Sequence, residues 1–252
     1  IELVASDEVV SRLIAQNVRH RGLSWVYNEL LTHSRGNAVY VRELPRLTGF
    51  QFGDLVDVFP RAIVLGMIRP IEGQLRPVLN PPSDASLMDE DMIVFLARTW
   101  SDTEPLSAVT PRKHRDTPPV PPVPRTGISK RMLVLGWNQK VPALIRELQS
   151  YDNERFEVDI LSLVPSEERY LYLARHGFAE DAGNGAGTVG HFEGDYTSPV
   201  DLRKMEPQRY DNIVFLANNW LASHEESDAR TILGYLVLQE ILSHHSGSPD
   251  IL

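Results

Sequence analysis

The sequence predicts an α/β protein in which a lobe built on a parallel sheet is joined to a small α+β lobe. Three observations carry this expectation. From Arg131 onward, apolar β-rich runs alternate regularly with helical runs, the order of a parallel sheet covered on both faces. Residues 37–100 change period and read as short strands separated by turns. Between the two lies Pro118-Pro-Val-Pro-Pro-Val-Pro124, which can enter neither a strand ladder nor a helix interior.

Taken in order, residues 1–5 read as a short strand closing at Ser6-Asp7, a helix cap. Val9, Val10, Leu13, Ile14 and Val18 then recur at helical spacing. After Gly22 a second amphipathic helix runs to about Leu31. A strand and two helices form the tail of an α/β domain, and their apolar faces need cover. A second copy of the chain is one candidate, which makes Val10, Leu13, Ile14, Leu23, Tyr27 and Leu30 the expected interface.

In the next stretch, Asn37–Val41 alternates like a strand and Phe52–Phe59 reads as a helix. Ala62–Ile68 is a β-branched strand, Gln74–Leu79 another after a Gly73 turn, and Met92–Ala97 the last. Residues 101–128 form a Pro-rich linker, a semi-rigid spacer at about 3 Å per residue.

Arg131-Met-Leu-Val-Leu-Gly-Trp-Asn138 followed by a helix from Lys140 to Gln149 is the strand, turn and helix of a Rossmann-like βαβ unit. Phe156–Ser162 is the second strand, and Ser166–Arg175 a helix opened by two acids. A Gly-rich loop over 182–190 leads to a third strand, Thr188–Phe192. Pro199–Met205 is a short helix with Pro in its first turn, and Tyr210–Ala217 the fourth strand. Ser227-Asp228 caps a long helix whose expected buried stripe is Ile232, Leu233, Leu236, Val237, Ile241 and Leu242. Asp250–Leu252 reads as the start of a fifth strand.

Composition excludes several classes. A net charge of −9 lacks the clustered Lys and Arg of a nucleic-acid surface. Zero cysteines exclude disulfides, thiolate metal sites and Cys nucleophiles. No apolar run approaches the roughly 20 residues of a membrane span, and the start carries no signal peptide. The chain opens on Ile rather than Met, as a piece of a longer protein does. No Gly-x-Ser-x-Gly elbow, His-Glu-x-x-His or phosphate-loop Lys occurs, so an enzyme is not expected.

The motifs occur in an order similar to that of RCK domains, the KTN or TrkA-type cytosolic regulatory domains of ion channels and transporters. His191-Phe-Glu-Gly-Asp195 followed by Leu202 resembles the family's Gly-Asp motif after the third strand. Val64-Leu-Gly-Met-Ile-Arg69, Leu79-Asn-Pro-Pro82 and Leu87-x-x-x-Asp91-x-Ile93-Val94 resemble its small C-terminal lobe. More narrowly, Leu135-Gly-Trp137, Val164-Pro165-x-x-Glu168-Arg169 and Ser227-Asp228-Ala229-Arg230 resemble the CASTOR/POLLUX channels and their bacterial relatives. The resemblance implies that residues 1–33 end a first domain and 34–100 are its small α+β lobe of C-terminal type. It implies too that 101–128 is a linker and 129–252 the Rossmann-like lobe of a second domain. A membrane pore would lie upstream, and the assembly would be a homo-oligomer, a dimer or a tetrameric ring, at the cytoplasmic face of a membrane.

In a dinucleotide site, glycines admit the pyrophosphate and an acid after the second strand holds the ribose. Here Gly136 is kept, Trp137, Asn138 and Val141 rewrite the turn, and the second strand ends at Ser162. That argues against NAD. A turn without its ligand and a turn for another small ligand remain open. The candidate crevice comprises Gly136, Trp137, Asn138, Ser162, Asp195 and Asn218. His191, Glu193 and Asp195 alternate, which on a strand would share one face. Glu193 and Asp195 are the candidate metal ligands, with Ca²⁺ the ion the resemblance favours. A solvated rim or helix cap is the plainer reading of the same residues. The expected function is a ligand-sensing gating module of a cation channel, potassium-selective or calcium-regulated. The rival is an NAD(H)-binding redox sensor or oxidoreductase.

Overall fold

A computed structural model describes residues 6–32, 36–106, 127–151, 153–178, 188–217, 223–245 and 248–252. The chain divides into two compact units, Ser24–Pro121 and a discontinuous one made of Ile1–Leu23 and Pro122–Leu252. The expected strand over 1–5 and nearly all of the Pro-rich linker lie outside the described residues.

The first unit holds a four-stranded antiparallel sheet in the order β1-β4-β2-β3. Its strands are β1 (Ala38–Glu43), β2 (Ile63–Ile71), β3 (Gln74–Leu79) and β4 (Met92–Ala97). The β2–β3 hairpin turns on Glu72 and Gly73, both with positive φ (52° and 77°), as a two-residue turn matched to strand twist requires. One sheet face packs Ile93 and Phe95 on Leu47, Leu55, Val58, Phe59 and Leu87. The helix expected over Phe52–Phe59 is broken into a 3-10 turn, Phe52–Asp54, and one α-turn, α3 (Leu55–Val58). The Phe52 and Gly53 amides bond instead to the Ala85 and Ser83 carbonyls of the neighbouring loop.

Arg69 and Asp91, which belong to two of the short motifs above, meet in this unit. The guanidinium is bidentate on the carboxylate (Nε–Oδ1 2.8 Å, Nη2–Oδ2 2.6 Å), and the Met88 amide donates to the same group at 2.8 Å. Burial alone would raise the Asp91 carboxyl; Arg69 and the Met88 amide outweigh it and hold it below the usual range.

The second unit is built on a five-stranded parallel sheet in the order β7-β6-β5-β8-β9. The strands are β5 (Ile128–Leu135), β6 (Glu154–Ser162), β7 (Val189–Glu193), β8 (Asn212–Phe215) and β9 (Asp250–Ile251). Its helices are α4 (Val141–Gln149), α5 (Ser166–Arg175), α6 (Pro199–Lys204) and α7 (His224–Leu242). Alternation along β5 feeds both faces. Met132 and Val134 enter the core with α4, while Leu133 and Leu135 enter the core with α6 and α7.

A further helix completes the first of these cores. α1 (Ser6–Arg19) contributes Ala15 and Val18 to the α4 side of the sheet. α2 (Leu23–Leu31) begins at the boundary between the units and buries none of its residues.

α7 differs from its sequence reading. It starts at His224, capped by Ser223, whose Oγ accepts from the Glu226 amide at 3.1 Å, one turn before Ser227-Asp228. Of the expected stripe, Ile241 and Leu242 are buried and Val237 is half-buried, whereas Ile232, Leu233 and Leu236 are exposed. Gly234 and Leu238 face inward instead, with Gly234 so close to the Tyr196 ring that a Cβ would collide. The helix is apolar around its circumference, so periodicity could not choose the buried side.

Replacing Asp91 with Ala would leave the Arg69 charge half-sequestered. The antiparallel unit should lose about 2–3 kcal/mol in urea unfolding, and Asp91→Asn should recover part of that.

Candidate functional site

Between β5 and β8 the strand order reverses, and the crevice outside the carboxyl ends of those strands is where open α/β sheets bind ligands. The two strands approach closely there. Gly136 has φ +107°, donates its N–H to the Leu161 carbonyl at 2.9 Å, and leaves no room for a Cβ beside the Leu216 carbonyl oxygen. Glycine is required on both counts.

The residues after Gly136 fill the crevice turn from within. Trp137 is 2% exposed, set edge-on to Tyr172 at 6.0 Å in the α4-side core. The Asn138 side chain donates to the Ala217 carbonyl at 2.9 Å and accepts from the Lys140 amide at 2.9 Å, which ties the turn across to β8. Beyond it stands a carboxylate: Asp7 of α1 lies 3.2 Å from Lys140 Nζ and accepts from Gln139 Nε2 at 3.1 Å. Ser162 is buried and its Oγ accepts from the Val164 amide at 3.2 Å. A bound dinucleotide would need open amides at this helix start and an acid after β6. The residues present do not fit one held in that way.

α1 is pinned at both ends. Near its start, Ser11 Oγ donates to the Asp7 carbonyl at 2.7 Å and shares that hydrogen with the Lys140 carbonyl oxygen at 3.2 Å. At its end, Arg19 grips Glu154 through Nε (3.1 Å) and Nη2 (2.8 Å) and lies over the Tyr151 ring at 3.7 Å. Lys130 Nζ donates to the Val18 and Arg19 carbonyls (3.2 and 3.0 Å), a cation satisfying helix C-terminal acceptors. The Arg19 bond is the chief cause that holds the Glu154 carboxyl below its usual range, against burial. Of the residues expected at a subunit interface, Ile14 packs on this unit's core, Leu13 is half-buried and Val10 is exposed. Leu23, Tyr27 and Leu30 are half-buried.

His191, Glu193 and Asp195 are each given separate tasks. β7 ends at Glu193, so Asp195 does not share its strand. Glu193 accepts from both the amide and the hydroxyl of Ser166 at 2.7 Å, capping α5 from the neighbouring strand. Those bonds hold its carboxyl low. Asp195 accepts from the Thr197 amide and hydroxyl and from Arg230 Nη2 at 2.6 Å. Burial would raise its carboxyl, and these bonds together bring it down. His191 lies under the Tyr170 ring at 4.2 Å and near Trp137 at 6.2 Å, and neither ring nitrogen has a partner among the described residues. Burial, helped by the Arg169 charge, pushes its pKa down to about 4. For Glu193 and Asp195 to ligate Ca²⁺ they would have to leave these partners. Among the described residues no group of three His, Cys, Asp or Glu side chains is placed to hold a metal. Asn218 lies outside the described residues.

Two arginines were not singled out as site residues. Arg169 is fully buried and donates to the Ile160 and Phe192 carbonyls at 3.0 Å each, fastening the ends of β6 and β7 together. Arg230 holds Asp195. Both stand inside motifs quoted above, Glu168-Arg169 and Asp228-Ala229-Arg230, which was the one signal that could have found them.

Residues 7–113 match the family described as Castor and Pollux, part of voltage-gated ion channel. Similarity runs further than that segment. The chain is 26% identical over its full length to the probable ion channel POLLUX of Oryza sativa subsp. japonica, covering 26% of that protein. It is 25% identical over 96% of its length to the ion channel POLLUX of Lotus japonicus, covering 26% of it. The probable ion channel CASTOR of Oryza sativa subsp. japonica is 26% identical over 96% of the chain. The chain therefore spans about a quarter of the length of these curated relatives. Its fold is similar to that of the human SLO3 gating ring, with a TM-score of 0.61 over 92% of this chain and 47% of that one, at 14% identity.

His191 gives a pH test. Its pKa is depressed in the fold, so its contribution to stability is fully present above about pH 6.5 and is lost as pH falls toward 4. His191→Phe should lose less thermal stability than the parent between pH 6.5 and 4, with the two curves parallel above pH 7.

Proposed function

We propose that this chain is the ligand-sensing, gating portion of a cation channel, positioned at the cytoplasmic face of a membrane whose pore belongs to other parts of the protein. The observation that supports it best is similarity to POLLUX and CASTOR ion channels across nearly the whole chain, together with a gating-ring fold. Among the described residues, no helix is long and apolar enough to cross a membrane. Among the described residues no nucleophile, base and orienting group are brought together in the crevice, so the redox-enzyme reading draws no support from them.

α1 supplies a physical route from ligand to output. One end touches the crevice turn through Asp7 and Ser11; the other is clamped by Lys130 and Glu154. A ligand that shifted residues 136–140 would change the contacts of α1 directly. Coupling of about 1–3 kcal/mol per site, typical of such systems, would then bias the pore.

Calorimetry with Ca²⁺, ATP, NAD and NADH, paired with hydrogen exchange, tests the reading. The expected result is a non-dinucleotide ligand whose binding changes exchange in residues 136–140 and in α1 together. Asp7→Ala should keep the first change and weaken the second. Micromolar NADH binding would favour the redox rival, and silence in all four titrations would favour a passive scaffold.

A further inference from the structure

On the α4 side of the parallel sheet, three nitrogens are shut away from solvent without a hydrogen-bond partner among the described residues. They are Arg169 Nε and both ring nitrogens of His191. A buried polar atom left unpaired costs free energy, so each calls for a partner. The three belong to one place. Arg169 reaches from α5 to the Ile160 and Phe192 carbonyls, and Ile160 is the residue paired with His191 across β6 and β7. Ile160 enters the core that holds Trp137, and the His191 ring lies 6.2 Å from that indole. Both side chains therefore occupy the same face of the sheet, where the guanidinium charge acts on the imidazole.

The charge there is not balanced. Arg169 is fully buried, and the acid that acts on it is Glu193. That carboxylate is exposed and already taken up by the Ser166 amide and hydroxyl. Arg69, by contrast, has Asp91 set bidentate against it. A buried cation bonded to neutral carbonyls keeps its charge uncompensated, which is costly. The walls are aromatic: the Tyr170 ring lies 4.2 Å from the imidazole, and Tyr172 stands edge-on to Trp137. Ring edges carry the positive end of the aromatic quadrupole.

We infer that Arg169 and His191 form a binding site for one small monovalent anion of the chloride, bromide or nitrate class. The ion accepts from Arg169 Nε–H and from the one N–H of the neutral imidazole, whose second nitrogen accepts from a water that accompanies it. A single negative charge matches the one guanidinium. A place sealed from solvent admits an ion of a few atoms and excludes a nucleotide or a peptide carboxylate. Fluoride and sulfate hold their water tightly, so their desolvation outweighs what one guanidinium supplies. The bound ion joins β6, β7 and α5 behind the crevice turn at Trp137. The inference stands apart from the channel reading, and either can fail without the other.

Melting of the whole chain near neutral pH and at fixed ionic strength tests this, with sodium gluconate exchanged for chloride, bromide, nitrate or fluoride. The first three should raise the melting point saturably, by about 2–4 °C at saturation, and fluoride should not. His191→Phe keeps a ring of similar bulk and removes the N–H. It should fold with the parent's circular dichroism and lose the anion dependence, whereas His176→Gln, at the exposed end of α5, should keep it. Arg169 fastens β6 to β7, and its replacement would compromise the fold, so a second measurement uses the unaltered chain. Crystals soaked in bromide should show an anomalous peak between Arg169 Nε and the His191 ring. Equal melting in chloride and gluconate would overturn the inference, as would a dependence that survives His191→Phe. So would a water, and no bromide, between the two side chains.

Discussion

The docking of α1 on the parallel lobe is the contact on which the rest depends. A helix at the start of the chain closes a core whose other members all lie beyond residue 127. Ala15 and Val18 supply the apolar part, and polar bonds at both ends set the register. Without this helix the α4 side of the sheet would expose apolar surface. With it, the parallel lobe becomes discontinuous, and the antiparallel unit is an insertion between α1 and β5. A change at the crevice turn is thereby one contact away from the segment that leads into the other unit.

The crevice shows how a nucleotide-type fold persists without its phosphate loop. Gly136 keeps the close approach of β5 to β8 that the fold needs. The following residues use that position for structure: Trp137 fills the core, and Asn138 laces the turn to β8. The helix start that would welcome a phosphate faces Asp7 instead, and like charges do not share such a place. Fold and ligand chemistry are separable because different residues of one short turn carry them.

Polar residues near the carboxyl ends of β6 and β7 work in the same way. Arg169, Glu193 and Asp195 each satisfy a backbone or an ion partner. His191 is held neutral among aromatic rings. Spacing of two along a strand would put all three on one face, but β7 stops at Glu193 and the third member leaves it. Alternation in sequence could not reveal where the ladder ends, because that is decided by the neighbouring strand.

Apart from the helix expected over Phe52–Phe59, which is broken, the main strands and helices of both lobes were legible in the sequence, since β-branched runs, turn glycines and 3.6-residue periods are local signals. So was the rewriting of the phosphate turn, which is read directly from Trp137 and Asn138. Local signals did not say which side of α7 is buried, because that helix is apolar all round and Tyr196 with Gly234 made the choice. Nor could they assign α1 to the lobe that follows the antiparallel unit, or join Arg69 to Asp91 and Arg230 to Asp195. Those pairings span tens of residues and exist only once the sheets bring the partners together. Composition and period determined the elements of this protein; the packing of those elements decided which residues face one another, and with them the site.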